Sequence, residues 1–194
     1  MYKLISHRGS YNKNIKENSF SAIINAFKND KYVGVEFDVR VTQDNEFILY
    51  HNAIYNNKLI KNTTYKELPK YVPKLEKILK IHSNKIFLIE IKNVNNQYEK
   101  LFKLLNKYKD KNIYVMSFSK NIIKKLNKKE RTFKLGLLNY VFNTDDSLEN
   151  LDFVGILNSL INDLTIKKLS KLEIFSYGIF EQKKYEDIYY ITDN

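Results

Sequence analysis

The first half of the chain carries two histidines and a set of carboxylates where strands would end: His7-Arg8-Gly9, Glu17-Asn18, Glu36-Phe37-Asp38, His51 and Glu90-Ile91-Lys92. Residues two apart on a strand face the same way, so Glu36 and Asp38 project together while Phe37 and Val39 face away. Glu90 shares a face with Lys92 by the same rule. Three acids gathered at neighbouring strand ends are unstable unless a cation neutralises them or a proton is shared. A hard divalent ion with oxygen ligands, Mg²⁺ or Ca²⁺, suits that set better than Zn²⁺. An imidazole near its unperturbed pKa gives and takes protons at neutral pH, so His7 and His51 beside a scissile phosphate would serve as acid and base. Arg8 and Lys92 add positive charge for phosphate oxygens.

Each of these residues also has an ordinary structural use. A single one of the acids could be solvated or paired with Lys92 or Arg40, and Lys92 could simply bridge to Glu90 or Glu36. Burying all three without purpose costs too much for that explanation to cover the set. Asn18 or Ser19 could cap the helical run that opens at Phe20, and Glu17, in the loop after the first strand, fits either role. His82 lies near the end of a helical pattern and is assigned no chemistry.

The elements that position these residues alternate. Short β-branched and aromatic runs at Lys3–Ser6, Val33–Val41, Ile86–Ile91, Ile113–Phe118, Lys134–Leu138, Phe153–Leu157, Glu173–Tyr177 and Tyr189–Thr192 read as eight strands. Helical patterns lie at Ser19–Lys28, Leu75–His82, Gln97–Tyr108, Asn121–Lys128 and Thr165–Lys171, and the connections after Leu138 and Tyr177 look too short for a full helix. Eight βα units most simply close into a compact (β/α)8 TIM barrel with one or two helices reduced or missing. An open doubly wound sheet would want a Gly-rich first turn, and Gly9 alone does not supply one. Val41 to Lys61 breaks the rhythm: Glu46 to Tyr50 reads as a second extended piece leading to His51, an excursion of the kind that carries function.

Composition narrows the classes further. At 194 residues and 43% hydrophobic, the chain suits a single domain spanning residues 1–194. Absence of cysteine excludes disulfides, thiolate metal sites and a cysteine nucleophile. The N-terminus turns polar within a few residues and no run reaches the length of a membrane span, so a soluble cytoplasmic protein with no transmembrane segment is expected. The net charge of +11 invites a nucleic-acid reading, but only three of the 33 basic residues are Arg and the lysines fall on helix faces. No nucleic-acid partner is expected, and the oligomeric state stays open.

The series His7-Arg8-Gly9, Glu17-Asn18-Ser19, Glu36-Phe37-Asp38-Val39, Thr42-Gln43-Asp44, His51 and Glu90-Ile91-Lys92 resembles the glycerophosphodiester phosphodiesterase family. Pro73-Lys74-Leu75-Glu76, Ser117-Phe118 and Thr192-Asp193 resemble its later markers. The resemblance implies a barrel that hydrolyses a small glycerophosphodiester to glycerol phosphate and an alcohol with one divalent cation. It further implies that Glu36, Asp38 and Glu90 hold the metal, His7 and His51 form the acid/base pair, Arg8 and Lys92 contact phosphate and Glu17 supports the site. Two departures stand out: Asn52 replaces the family's Asp after the second histidine, and Phe175, Tyr177 and Tyr190 occupy regions where the family has Trp and Gly. A divergent barrel that binds a phosphorylated ligand without turning it over is the alternative.

Overall fold

A computed structural model of the chain describes residues 2–140, 150–178 and 185–193. Eight parallel strands close a barrel: β1 (Lys3–Ser6), β2 (Gly34–Val41), β6 (Ile86–Ile91), β7 (Ile113–Ser117), β8 (Lys134–Asn139), β9 (Phe153–Leu157), β10 (Glu173–Tyr177) and β11 (Tyr189–Thr192). Closure comes from β1, which pairs with β11 along its length and with β2 at Ile5↔Gly34 and Ser6↔Val35. The helices are α1 (Phe20–Lys28), α2 (Leu75–Leu79), α3 (Tyr98–Asn106), α4 (Lys120–Leu126) and α5 (Asp163–Lys168). The eight-stranded barrel with shortened helices is therefore as the alternation predicts. The two connections expected to lack a helix include residues 141–149 and 179–184, outside the described residues.

Several boundaries move for local reasons. Helix α2 stops at Leu79 rather than His82 because the Ile81 N–H turns back onto the Ile78 carbonyl. His82 thus falls beyond the helix. Helix α5 begins earlier than Thr165 because the Asn162 side chain caps the Thr165 N–H. Ser19 caps α1 by accepting from the Ala22 N–H, and α1 then buries Ala22, Ile23, Ala26 and Phe27 on one face. Phe27 packs on Phe87 of β6 at a ring-centroid distance of 4.5 Å, a burial worth about 2–3 kcal/mol.

Alternation along the strands separates two layers of core. Val35, Phe37 and Val39 of β2 and Phe87, Ile89 and Ile91 of β6 face the helices. Ile5, Leu88, Tyr114, Met116, Phe153, Phe175 and Ile191 fill the barrel interior. So crowded an interior demands missing side chains: a Cβ on Gly136 would lie 2.4 Å from the Phe153 ring and one on Gly155 2.2 Å from Leu138. The same inward face of β2 and β6 changes from apolar to acidic toward the carboxyl ends, from Gly34 to Glu36 and Asp38 and from Leu88 to Glu90. The fold therefore puts its charges at the end of the barrel from which the long loops rise.

Two of those loops matter. After β2 the chain reverses into β3 (Phe47–Leu49), which pairs antiparallel with Val39–Val41 on the part of β2 that extends past β1. This is the extended piece expected between Glu46 and Tyr50. It is followed by a hairpin that the sequence reading did not identify, β4 (Ile54–Tyr55) and β5 (Lys58–Leu59). The other loop follows β1. Gly9 has φ +82° and lies so close to α1 that a Cβ would stand 2.6 Å from the Ala22 carbonyl carbon. Ser10 N–H donates to the Ala22 oxygen at 2.9 Å, tying the loop to the helix. Gly9→Ala is expected to cost about 1–3 kcal/mol of unfolding free energy in a urea titration. An unchanged midpoint would show that the loop is not held as described.

Candidate active site

Parallel pairing of β2 with β6 sets Asp38 directly beside Glu90, with Glu36 one inward position earlier. Oxygens of Glu36, Asp38 and Glu90 lie within 4.8 Å of one another, and all three residues are buried. Two cations reach in. Lys92 Nζ sits 2.6 Å from Glu90 Oε1 and 3.1 Å from Asp38 Oδ1. Its partners are thus Glu90 and Asp38, and Glu36, one of the two alternatives in the sequence, is not among them. Arg8 donates its backbone N–H to Glu36 Oε2 at 3.1 Å, places Nε 3.2 Å from Asp38 Oδ2, and forks Nη1 onto both Glu17 oxygens at 3.1 and 3.0 Å. Glu17 therefore holds the guanidinium in place. Arg40, offered as another partner for the acids, instead donates through Nε to the His51 carbonyl at 2.8 Å, fixing the loop that carries this histidine.

The histidines approach from different strands. His7 follows β1, with Nε2 3.8 Å from Glu36 Oε2 and Nδ1 2.7 Å from Asp193 Oδ1. His51 follows β3, whose end is pinned by Tyr50 N–H donating to the Asp38 carbonyl at 3.0 Å. Its Nδ1 lies 3.0 Å from Asn52 Oδ1, and its charge bears on both Asp38 and Glu90. Asp193 and Tyr11 carry no assigned role in the sequence. Asp193 orients His7, and Tyr11 donates to the same Asp193 oxygen at 3.1 Å. Asn18 is a site residue rather than a cap: its Nδ2 donates to Asp38 Oδ2 at 2.9 Å and its Oδ1 accepts from the Asp38 N–H at 3.1 Å. Arg8 and Asn18 both hold positive φ, 55° and 56°, a backbone cost that recurs at functional sites.

The electrostatics of the triad are lopsided. Burial, then the charges of Asp38 and Glu90, push the Glu36 carboxyl well above the ordinary range, against the Arg8 N–H and guanidinium. Burial also raises Glu90, with Lys92 opposing and Asp38 adding. Asp38 goes the other way: burial pushes it up, but Lys92, Arg8 and the Asn18 hydrogen bond outweigh that and hold it below its ordinary value. Asp38 Oδ1, although buried, lacks a hydrogen bond of good geometry. Three crowded, buried carboxylates, with Asp38 Oδ1 met by the Lys92 ammonium at 3.1 Å, offer an all-oxygen donor set that suits a hard divalent cation.

These shifts fix the sign of a pH dependence. The raised Glu36 stabilises the metal-free fold while protonated, and that contribution is lost as pH rises through its elevated folded pKa. The lowered Asp38 acts oppositely, its contribution being lost as pH falls below about 3.9, the ordinary aspartate value. In chelator, the melting temperature is expected to decline as pH rises above the ordinary glutamate range. Excess divalent ion should flatten that decline, because binding holds the carboxylates deprotonated. Parallel curves in thermal melts with and without ion would contradict this.

Beside the triad opens a pocket of about 550 Å³, lined by His7, Arg8, Lys92 and the rings of Phe118, Tyr140 and Tyr177. Phe118 and Tyr140 stack at 4.4 Å, and Tyr177 stands edge-on to Phe118 at 5.8 Å. A phosphate would meet the two cations while an attached organic group met the rings.

The chain resembles a glycerophosphodiester phosphodiesterase from Parabacteroides distasonis at 18% identity and TM-score 0.77, covering 99% of this chain and 92% of that one. It resembles the corresponding Thermotoga maritima structure at 21% identity and TM-score 0.74, covering 98% and 94%. An Oleispira antarctica phosphodiesterase, solved in complex with the product sn-glycerol-3-phosphate, superposes at 16% identity and TM-score 0.81, covering 98% and 92%. No curated protein matches the sequence. The model of the glycerophosphoryl diester phosphodiesterase family matches residues 7–170. The chain belongs to that family, and with it to the phosphoric diester hydrolases.

Proposed function

We propose that the protein hydrolyses a glycerophosphodiester to glycerol phosphate and an alcohol, with Glu36, Asp38 and Glu90 holding one divalent cation, Mg²⁺ or Ca²⁺. The observation that carries this reading is the convergence of those buried carboxylates beside His7, Arg8 and Lys92. When bound, such an ion supplies concentrated positive charge against phosphoryl oxygens. Arg8 and Lys92 grip the phosphate, exchanging part of their carboxylate contacts for its oxygens. Glu17 keeps the Arg8 guanidinium in position.

The proton inventory follows from the imidazole partners. The Asp193 carboxylate favours a proton on His7 Nδ1, which leaves Nε2 to accept one. His7 therefore takes the proton of the attacking hydroxyl: water yields glycerol phosphate directly, whereas the neighbouring glycerol hydroxyl yields a cyclic phosphate that water must then open to glycerol phosphate. His51, whose Nδ1 faces the neutral Asn52 amide, takes the complementary role and delivers a proton to the departing alkoxide. The ring-lined wall of the pocket receives the alcohol.

The substrate in this reading is a small molecule rather than a nucleic acid, supported by the scarcity of Arg and by a site built inside a barrel end. A cytoplasmic location accords with a chain without cysteine; among the described residues no helix is long and apolar enough to cross a membrane. Asn52 beside His51 favours the alternative of a barrel that binds a phosphorylated ligand without hydrolysing it. Assaying glycerol phosphate release from several glycerophosphodiesters, with and without chelator, separates the two. Metal-dependent release is the expected result; saturable binding with no release would establish the alternative.

A further inference from the structure

The excursion after β3 carries features that the catalytic reading leaves unused. Its hairpin turns on Asn56 and Asn57, both with positive φ, and its register sets Ile54 opposite Leu59 and Tyr55 opposite Lys58. Opposed residues share a face of the ribbon. Tyr55 leans edge-on to Tyr50 at 6.3 Å, beside a small core of Ile48, Ile60, Leu68 and Val72. The other face leaves Ile54 54% and Leu59 39% exposed. A lone exposed aliphatic is unremarkable, but a cross-strand pair just after His51 is a patch.

Next to it lies a cleft of about 510 Å³ between the loop after β1 and residues 65–77. Lys16, Lys70 and Lys77 line it, and no acidic residue does. Lys16 and Lys70 are exposed and form no ion pair among the described residues, and Lys77 rests over the Phe20 ring at 4.4 Å. Val72 and Tyr65, which line this cleft, belong to the same small core against which Tyr55 packs, so cleft and hairpin are contiguous, and Tyr71, another lining residue, is 40% exposed. Of the large apolar side chains exposed among the described residues, Ile54, Leu59 and Tyr71 lie in the excursion that also carries His51, and Tyr140 lines the candidate active-site pocket.

We propose that this rim docks on an anionic phospholipid surface, the Ile54–Leu59 pair entering the interface while Lys16, Lys70 and Lys77 meet headgroup phosphates. Charge selects the occupant. A second copy would oppose one lysine-lined cleft to another in a protein of net charge +11, and a nucleic acid would use the lysines but not the aliphatic pair. Docking goes beyond the phosphodiesterase reading and does not depend on it, since membrane binding is measured without turnover.

The test is co-sedimentation of the full chain with vesicles of phosphatidylcholine alone and with phosphatidylglycerol added. Binding is expected only to the anionic vesicles and should weaken with salt. Replacing Lys16, Lys70 and Lys77 together by Gln should weaken it about 100-fold. Ile54→Ser with Leu59→Ser should weaken it about tenfold or more. All five positions lie outside the catalytic set, so release of glycerol phosphate from a soluble diester should be unchanged in both variants. Equal binding to neutral vesicles, no binding to either, or indifference to both sets of substitutions would overturn the proposal. So would a wild-type dimer that the Ile54/Leu59 variant dissolves in light scattering, or duplex DNA binding that matches the vesicle affinity and ignores the aliphatic pair.

Discussion

His7→Ala is expected to lower kcat by about two to four orders of magnitude while leaving the fold intact. The imidazole is 29% exposed and contributes little packing, so circular dichroism and the melting temperature should scarcely change. What disappears is a base whose Nε2 faces the acidic cluster and whose Nδ1 is held by Asp193. Asp193→Asn should fall between wild type and His7→Ala, since an amide retains a hydrogen bond but not the charge that stabilises the imidazolium. Steady-state release of glycerol phosphate decides the matter. Turnover by His7→Ala at the wild-type rate would remove His7 from the chemistry.

The second large effect is a pair of substitutions with opposite signs. Asp38 anchors Lys92 and Arg8 and is 1% exposed, so Asp38→Asn leaves two part-buried cations under-compensated. Breaking a buried pair from one side costs about 3–5 kcal/mol, and exposure of the cations places this case near the lower end. Glu36 is the group that burial and its neighbours push toward the neutral form. Glu36→Gln makes permanent the neutral form that the metal-free site favours and, above the ordinary glutamate range, should raise the melting temperature in chelator by about 2–4 °C for each kcal/mol gained. Both variants should lose the stabilisation conferred by divalent ion, and with it turnover. If both destabilise the chelated protein equally, the lopsided electrostatics described for the triad are wrong.

Much of this was legible in the sequence because strand alternation is a rigid rule. Once Glu36, Asp38 and Glu90 were placed on strands, their common face followed, and parallel pairing of β2 with β6 brought them together. Helix ends were less legible. Hydrophobic periodicity continues past Leu79 although the backbone tightens there, whereas the Asn162 cap that starts α5 was a signal available from residue type alone. Hydrogen bonds across long sequence separations were the least accessible. Nothing local marks Asp193 as the partner of a histidine 186 positions earlier, because that contact exists only when β11 closes on β1. Residue type left both a cap and a site role open for Asn18, because Ser19, its neighbour, caps equally well; the positive φ at Asn18 is what turns its amide onto Asp38. The β4–β5 hairpin did have a signal, the Asn56-Asn57 turn between Tyr55 and Lys58.

The central claim is that Glu36, Asp38 and Glu90 together form one site for a divalent ion, and calorimetric titration of Mg²⁺ or Ca²⁺ into chelator-treated protein tests it most directly. The expected result is one equivalent bound, with proton release that grows as the pH is lowered toward the ordinary glutamate range, reporting Glu36 giving up its proton, and no binding by Glu36→Gln with Glu90→Gln. No saturable heat in the wild type, or an unchanged isotherm in the double variant, would contradict the account.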